Sequence, residues 1–411
     1  MNVQDFLQTS YTPYHAVENC RAMLDKAGFR AMREDAIPSL QAGDRGYVIQ
    51  DGTGLFAFVV GDDPTLMLTE CHTDSPCLRV KGPRTLPSAE GRRINVEKYG
   101  GLLLYSMLDI PLRVAGRLTV ETADGVQTRT VVSDRRVVIP SLCIHHNPAH
   151  NELTLNVQSD MLPLVGDVED VYQWLCDAHT VLDADLYVVS DVAPYAAGAD
   201  EEYLCAPRID DLAAVFACIE ALCDCHPQGL AMVACYNNEE IGSGTKQGAA
   251  SIFMHDLVQR ILTAAGAENP TAAIRKGMAL SVDNGHAEHP AHPEKSDVQG
   301  GPRIGGGVVV KHHVNYATDG LSAGIFKHIL GKADIPCQDY YNRSDIGCGS
   351  TLGNIAARWL AIDTVDIGLA QLAMHSAVET MGIRDLGYLT QGVQAFLNSK
   401  LIRTDDGIRI Q

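Results

Sequence analysis

The chain has 411 residues, enough for two domains or three, and its balance of 46% apolar to 20% charged residues is ordinary for a globular protein. Its 32 basic and 51 acidic side chains leave a formal charge of −19. That excludes a general nucleic-acid binder, which needs a basic face to displace counterions, and a protein that docks on anionic lipid. No apolar run reaches the roughly 18–20 residues of a membrane span, and Met1-Asn2-Val3-Gln4-Asp5 opens no signal peptide, so a cytoplasmic protein is expected. The 12 cysteines scatter from Cys20 to Cys348 without a repeated CxxC pair, and most sit in apolar contexts. They read as small buried hydrophobes in a reducing compartment.

In chain order, residues 14–28 carry helical apolar spacing through Ala16, Met23 and Leu24. Residues 47–50 and 55–60 flank Asp51-Gly52-Thr53-Gly54, a hairpin signal. Residues 65–69 read as a buried strand running into Glu70-Cys71-His72-Thr73-Asp74-Ser75-Pro76. From about Gly82 to Ala197 short β-rich runs take over, at 112–120, 128–138 and 153–157, punctuated by Pro, Gly and Asp. This texture predicts a β-rich unit, residues 83–197, inserted into a domain formed by 1–82 and 198–411.

After Pro207 the α/β rhythm returns. Leu212, Val215, Phe216, Ile219 and Leu222 make a helical stripe. Strands are expected at 229–236, 278–282 and 363–367. The expected fold is α/β, with a largely parallel central sheet flanked by helices and an inserted β-rich domain. In such sheets functional groups gather beyond the carboxyl ends of strands. His72, Asp74, Glu239, Glu240 and Asp283 each follow an expected strand directly, His375 follows one after a short loop, and Asp210-Asp211 opens a helix.

Imidazole and carboxylate together suit zinc, and cobalt or manganese accept the same set. Two histidines and three carboxylates can hold a pair of metals if one carboxylate bridges. A further carboxylate, not a ligand, is needed to move a proton, and the adjacent pair Glu239-Glu240 fits that division. Each piece alone has a plain reading: a helix cap for Asp210-Asp211, a solvated turn for Glu239-Glu240, a turn opening for Asp283, a packed core histidine for His375. Their joint placement at strand ends is what singles them out.

The words around these residues resemble the M18 metallopeptidases, the aspartyl aminopeptidase family. Five motifs carry the resemblance, in the same order: Cys71-His72-Thr73-Asp74-Ser75-Pro76-Cys77-Leu78-Arg79-Val80-Lys81, Pro207-Arg208-Ile209-Asp210-Asp211-Leu212, Asn238-Glu239-Glu240-Ile241-Gly242-Ser243, Ser281-Val282-Asp283-Asn284-Gly285-His286-Ala287 and Gln371-Leu372-Ala373-Met374-His375-Ser376. The resemblance implies two zinc ions per subunit: His72 and Asp283 on one, Glu240 and His375 on the other, Asp210 bridging. It implies Glu239 as general base and acid, and Asp74 orienting His72. It also implies that the inserted domain serves dimerisation, within a homo-oligomer that is a tetrahedral dodecamer built from dimers.

Further residues follow by the same resemblance. His145 matches a histidine that reaches into a neighbouring subunit's site, with His146 beside it. Lys311 matches a lysine facing an acidic substrate side chain, against the plain reading of a surface lysine on a strand edge. Tyr316, His286 and His289 match substrate-side positions, and Asn342-Arg343-Ser344-Asp345-Ile346-Gly347-Cys348-Gly349-Ser350-Thr351 matches a glycine-rich substrate loop. The chain departs from the family at Ile110 (commonly Arg), Asp211 (commonly Asn) and Cys348 (often Gly).

The expected activity is a dinuclear zinc aminopeptidase acting on peptides with a free N-terminus and preferring Asp or Glu there. Two alternatives are a related dinuclear metallohydrolase, or aminopeptidase with apolar preference, and an inactive structural or binding homologue.

Overall fold

The computed structural model describes every residue except 148–150, 178, 350 and 406, so Ser350 of the glycine-rich loop lies outside the described residues. A nine-stranded sheet forms its backbone, in the spatial order Arg30–Ala31, Arg45–Gln50, Gly54–Val60, Leu230–Tyr236, Leu66–His72, Met278–Val282, Asp363–Gly368, Val308–His312, Cys337–Tyr341. The four strands from Leu230–Tyr236 to Asp363–Gly368 are mutually parallel. The hairpin Arg45–Gln50/Gly54–Val60 and the strand Val308–His312 bring the antiparallel pairings.

Alternation of side chains explains why all seven residues of Leu66–His72 are buried. Met67 and Cys71 face one layer of helices, formed by Pro13–Lys26, Ile209–Cys223, Gly320–Lys332 and Ile383–Asn398; Leu66 and Leu68 face the other, formed by Phe253–Ala264, Pro270–Lys276 and Gly353–Leu360. The predicted stripe of Leu212, Val215, Phe216, Ile219 and Leu222 lies wholly in the first layer. Each buried Leu or Phe contributes about 1.5–3 kcal/mol, which offsets the cost of the charged groups buried at one rim of the sheet.

Residues between 77 and 190 build a separate antiparallel sheet, ordered Gly125–Val132, Leu112–Thr122, Val181–Ser190, Cys77–Val80, Val96–Tyr99, with its own core around Leu78, Val96, Val114, Leu118 and Val188. Two of the expected β-runs differ in detail. The run at 128–138 ends at Val132, because the Ser133 hydroxyl donates to the Arg135 carbonyl and turns the chain. The run at 153–157 is no strand: the Asn156 side chain accepts from the Gln158 N–H and caps the short helix Val157–Asp160 instead.

Seven of the twelve cysteines (20, 71, 77, 205, 218, 225 and 235) are buried, and all twelve are free thiols. No helix among the described residues is long and apolar enough to cross a membrane.

Candidate metal centre

The parallel strands deliver their last residues to one place. His72 ends Leu66–His72, and Asp283 follows Met278–Val282 by one residue. Glu239 and Glu240 lie on a single turn, Glu239–Ile241, just past Leu230–Tyr236. A second small sheet completes the set by pairing Tyr203–Ala206 with Glu379–Gly382, so that Asp210 and His375 meet. Its Glu379 is buried, and its two carboxylate oxygens accept the backbone N–H of Asp210 (2.9 Å) and of His375 (2.6 Å).

Asp210 sits at the middle. One of its oxygens, Oδ1, lies 3.5 Å from His72 Nε2, and the other, Oδ2, lies 3.4 Å from His375 Nε2. His375 Nε2 is also 3.4 Å from Glu240 Oε1, and His72 Nε2 is 4.0 Å from Asp283 Oδ1. Ligand atoms therefore converge in overlapping groups, His72 with Asp210, Asp211 and Asp283, and Asp210 with Glu240 and His375. A third group joins His72 to Glu239 and Glu240.

Asp74 organises the surroundings without joining these groups. Its carboxylate accepts the N–H groups of Glu239 and Glu240, both at 3.1 Å, and the hydroxyl of Tyr99 at 2.7 Å. Its oxygen Oδ1 lies 3.5 Å from His72 Nδ1, whose closest acceptor is the Asp74 backbone carbonyl at 3.0 Å. The left-handed Asn238 (φ 62°), a conformation that Asn tolerates, aims both glutamate N–H groups at that carboxylate. Glu239 and Glu240, adjacent on a tight turn, both group with His72, and Glu240 also meets His375. Gly100 and Gly101 let the loop after Val96–Tyr99 close over the centre, since a Cβ at Gly101 would lie 2.8 Å from His375 Nδ1.

The electrostatics call for cations. Burial lowers the basicity of His72, yet Asp210 and Asp74 outweigh it and push the imidazole well above its usual value. Burial lowers His375 as well, but Asp210 and Glu379 prevail and raise it above its usual value. Burial raises Glu239 to about 7, with His72 opposing and the Asp283, Asp74 and Asp210 carboxylates adding to the rise. Protons on the imidazoles thus answer a demand for positive charge that divalent ions meet better. The donor set fits zinc, and the buried Oδ1 atoms of Asp210 and Asp211 have no hydrogen-bond partner.

Lys311 is buried, not a surface lysine, with 1% exposure. Its ammonium lies 3.5 Å from Asp283 Oδ2, donates to the Asn284 carbonyl at 3.3 Å and sits 5.5 Å over the Tyr316 ring. Lys311, Tyr316 and His286 line, together with the centre and with Cys348 and Thr351, a cavity of about 770 Å³ open to solvent. His145 and His289 are not brought there: His145 is exposed on the turn Ile144–His146, and His289 is exposed with its ring 5.2 Å from that of His292. Three residues of the site went unassigned in the sequence reading. Asp211 had a signal in its neighbour Asp210; Glu379 had one in its position four residues after His375; Tyr99, from another sheet, had none.

Residues 6–173 and 168–397 match the family described as Aminopeptidase I zinc metalloprotease (M18). A probable M18 family aminopeptidase 2 of Stutzerimonas stutzeri (strain A1501) is 34% identical over 417 residues, covering 96% of this chain and 97% of that protein. Among solved structures, a chain of the cryo-EM structure of the Ape4 and Nbr1 complex is 27% identical, with a TM-score of 0.90 and coverage of 96% of this chain and 84% of that one. A chain of the yeast mApe1 dodecamer shares the fold at 24% identity, with a TM-score of 0.83 and coverage of 96% and 95%.

Proposed function

The chain belongs to the M18 family of aminopeptidase I zinc metalloproteases, and on that premise we propose that it is a dinuclear zinc aminopeptidase that removes N-terminal residues from peptides, Asp and Glu before others. The observation that carries the dinuclear reading is Asp210, whose two oxygens face two different histidines at 3.5 and 3.4 Å. In this reading His72 and Asp283 would hold one zinc, His375 and Glu240 the other, and Asp210 would serve both. Zinc held there would supply Lewis acidity and make water nucleophilic near neutrality.

The chain's own groups do the rest. Glu239 takes a proton from the attacking water and passes it to the leaving amine; a carboxyl raised to about 7 is matched to both duties near neutrality. Asp74 fixes the Glu239–Glu240 turn and His72 together, so base and ligands keep one geometry. Lys311 lines the cavity with its ammonium beside Asp283, and a cation at that place supports acidic selection. His286 and Tyr316 line the same cavity and are placed to contact the substrate.

We assign the β-rich residues 83–197 to dimerisation and His145 to a neighbouring subunit's site. The exposed apolar side chains Tyr105, Leu142, Ile144 and Leu153 support that assignment. The fold shared with a dodecameric protein supports a closed assembly of the same kind. The buried thiols support residence in a reducing cytoplasm.

The test is metal content measured alongside hydrolysis of Asp-, Glu-, Leu- and Lys-linked chromogenic amides. Two zinc ions per chain with fastest release of Asp or Glu upholds the proposal. Two metals with Leu preferred keeps the mechanism and discards the acidic pocket. Metal without cleavage of any amide refutes the aminopeptidase reading.

A further inference from the structure

The wall of the cavity opposite in chemistry to the metal centre is made of two loops. One is the turn after Val308–His312 that carries Tyr316, and the other is the loop between Cys337–Tyr341 and Gly353–Leu360 that carries Cys348 and Thr351. Neither loop is part of a strand ladder at these residues, so something else must fix them.

We propose that the buried carboxylate of Asp366 is a positioning residue that holds both loops and thereby sets the part of the cavity that meets the substrate's side chain. This rests on the aminopeptidase reading of that cavity. Asp366 lies on the strand Asp363–Gly368 and has no exposure. Its Oδ2 accepts the N–H of Ala317 at 2.7 Å, the N–H of Thr318 at 3.2 Å and the Thr318 hydroxyl at 3.3 Å. Its Oδ1 accepts the Thr351 hydroxyl from the other loop at 2.5 Å. The Asp366 N–H returns a bond to Thr318 Oγ1 at 2.8 Å. One carboxylate thus reaches both loops, through donors that a buried anion needs in any case.

The two loops also touch each other at the cavity. The Cys348 thiol donates to the Tyr316 hydroxyl at 3.1 Å, and the Tyr316 ring covers Lys311. Tyr316 is the residue directly before the clamped Ala317-Thr318 pair. Loosening the clamp moves Tyr316 relative to both Lys311 and Cys348, while none of the proposed metal ligands lies on either loop. The consequence falls on substrate binding before it falls on the chemical step.

The experiment compares Asp366→Asn, Thr318→Val and Thr318→Ser in the full-length zinc-loaded protein. The readouts are KM and kcat on Asp-, Glu- and Leu-linked amides, zinc content, and the rate at which iodoacetamide labels Cys348, resolved by peptide mapping. Asp366→Asn and Thr318→Val should raise KM by about fivefold or more with kcat within about twofold. Zinc content should hold, Cys348 should label faster, and Thr318→Ser should behave as wild type. Unchanged KM and unchanged labelling overturn the proposal, as does a loss of zinc and kcat at constant KM, which would assign Asp366 to the metal centre. If Asp366→Asn does not fold, Thr318→Val, lacking one hydroxyl, decides. If the wild type cleaves none of the amides, the aminopeptidase reading fails, and labelling alone decides whether Asp366 holds the loops.

Discussion

Tyr99 crosses from the antiparallel sheet to the metal centre, and replacing it with Phe isolates one bond of the network. The hydroxyl donates to Asp74 Oδ2 at 2.7 Å and accepts from Asn238 Nδ2 at 2.9 Å. A buried hydrogen bond to a carboxylate contributes about 1.5–3 kcal/mol. Asn238 is half-buried with its Oδ1 held by the Thr245 hydroxyl at 2.9 Å, and its bond to Tyr99 joins neutral groups, so the bond to Asp74 dominates. Asp74 keeps the N–H groups of Glu239 and Glu240, which limits the damage to orientation. If the whole loss is felt in the transition state, kcat/KM falls by roughly 10- to 150-fold. We expect at least the lower figure, carried by kcat, with KM and zinc content held, in steady-state assays on the best amide substrate. A Tyr99→Phe enzyme within twofold of wild type would refute the reasoning: the two backbone donors would then suffice, and the antiparallel sheet would have no part in aligning the base.

Glu239→Gln should keep both metals and the fold while losing about 10²–10⁴ in kcat; an active variant with full zinc shows that another group moves the proton. Asp210→Ala removes the group that faces both histidines, so zinc measured after dialysis should fall at both positions; near-normal stoichiometry rules out the bridge. Asp191 offers a pH test away from the centre. Burial raises its carboxyl, but hydrogen bonds from Arg136, Tyr11 and Arg113 prevail and hold it below the ordinary 3.8. A depressed folded-state pKa gives stability that is present above the unfolded value and lost as the pH falls through the folded one. Asp191→Asn should therefore unfold at lower urea than wild type at neutral pH, and the two should converge as the pH falls below the folded-state value of the Asp191 carboxyl. A gap that stays constant with pH would mean that the ion pairs contribute nothing.

The sheet and the centre were readable in the sequence for one physical reason. Strands buried on both faces appear as continuous apolar runs, and whatever polar residue ends such a run marks the rim: His72, Asp283 and the Glu239–Glu240 turn were found that way. What the pattern could not carry is anything decided across the chain. Tyr99 lies in an ordinary amphipathic strand, and only the approach of a second sheet gives its hydroxyl a role. The burial of Lys311 follows from its pairing with Asp283, 28 residues earlier in sequence and just past another strand. The run at 153–157 failed because a local cap, Asn156, competes with strand pairing, and cap chemistry leaves apolar alternation untouched.

The groups that converge at the centre come from five separate stretches, the first at His72 and the last at His375, only 36 residues before the end of the 411-residue chain. No contiguous fragment shorter than most of the protein contains them all. A chain still being synthesised therefore holds Glu239 well before His375 can join it, so the centre closes late. On the proposed ligand set, a molecule cut between His72 and His375 whose two pieces separate would lose its hold on metal, so retained metal would report an unbroken chain.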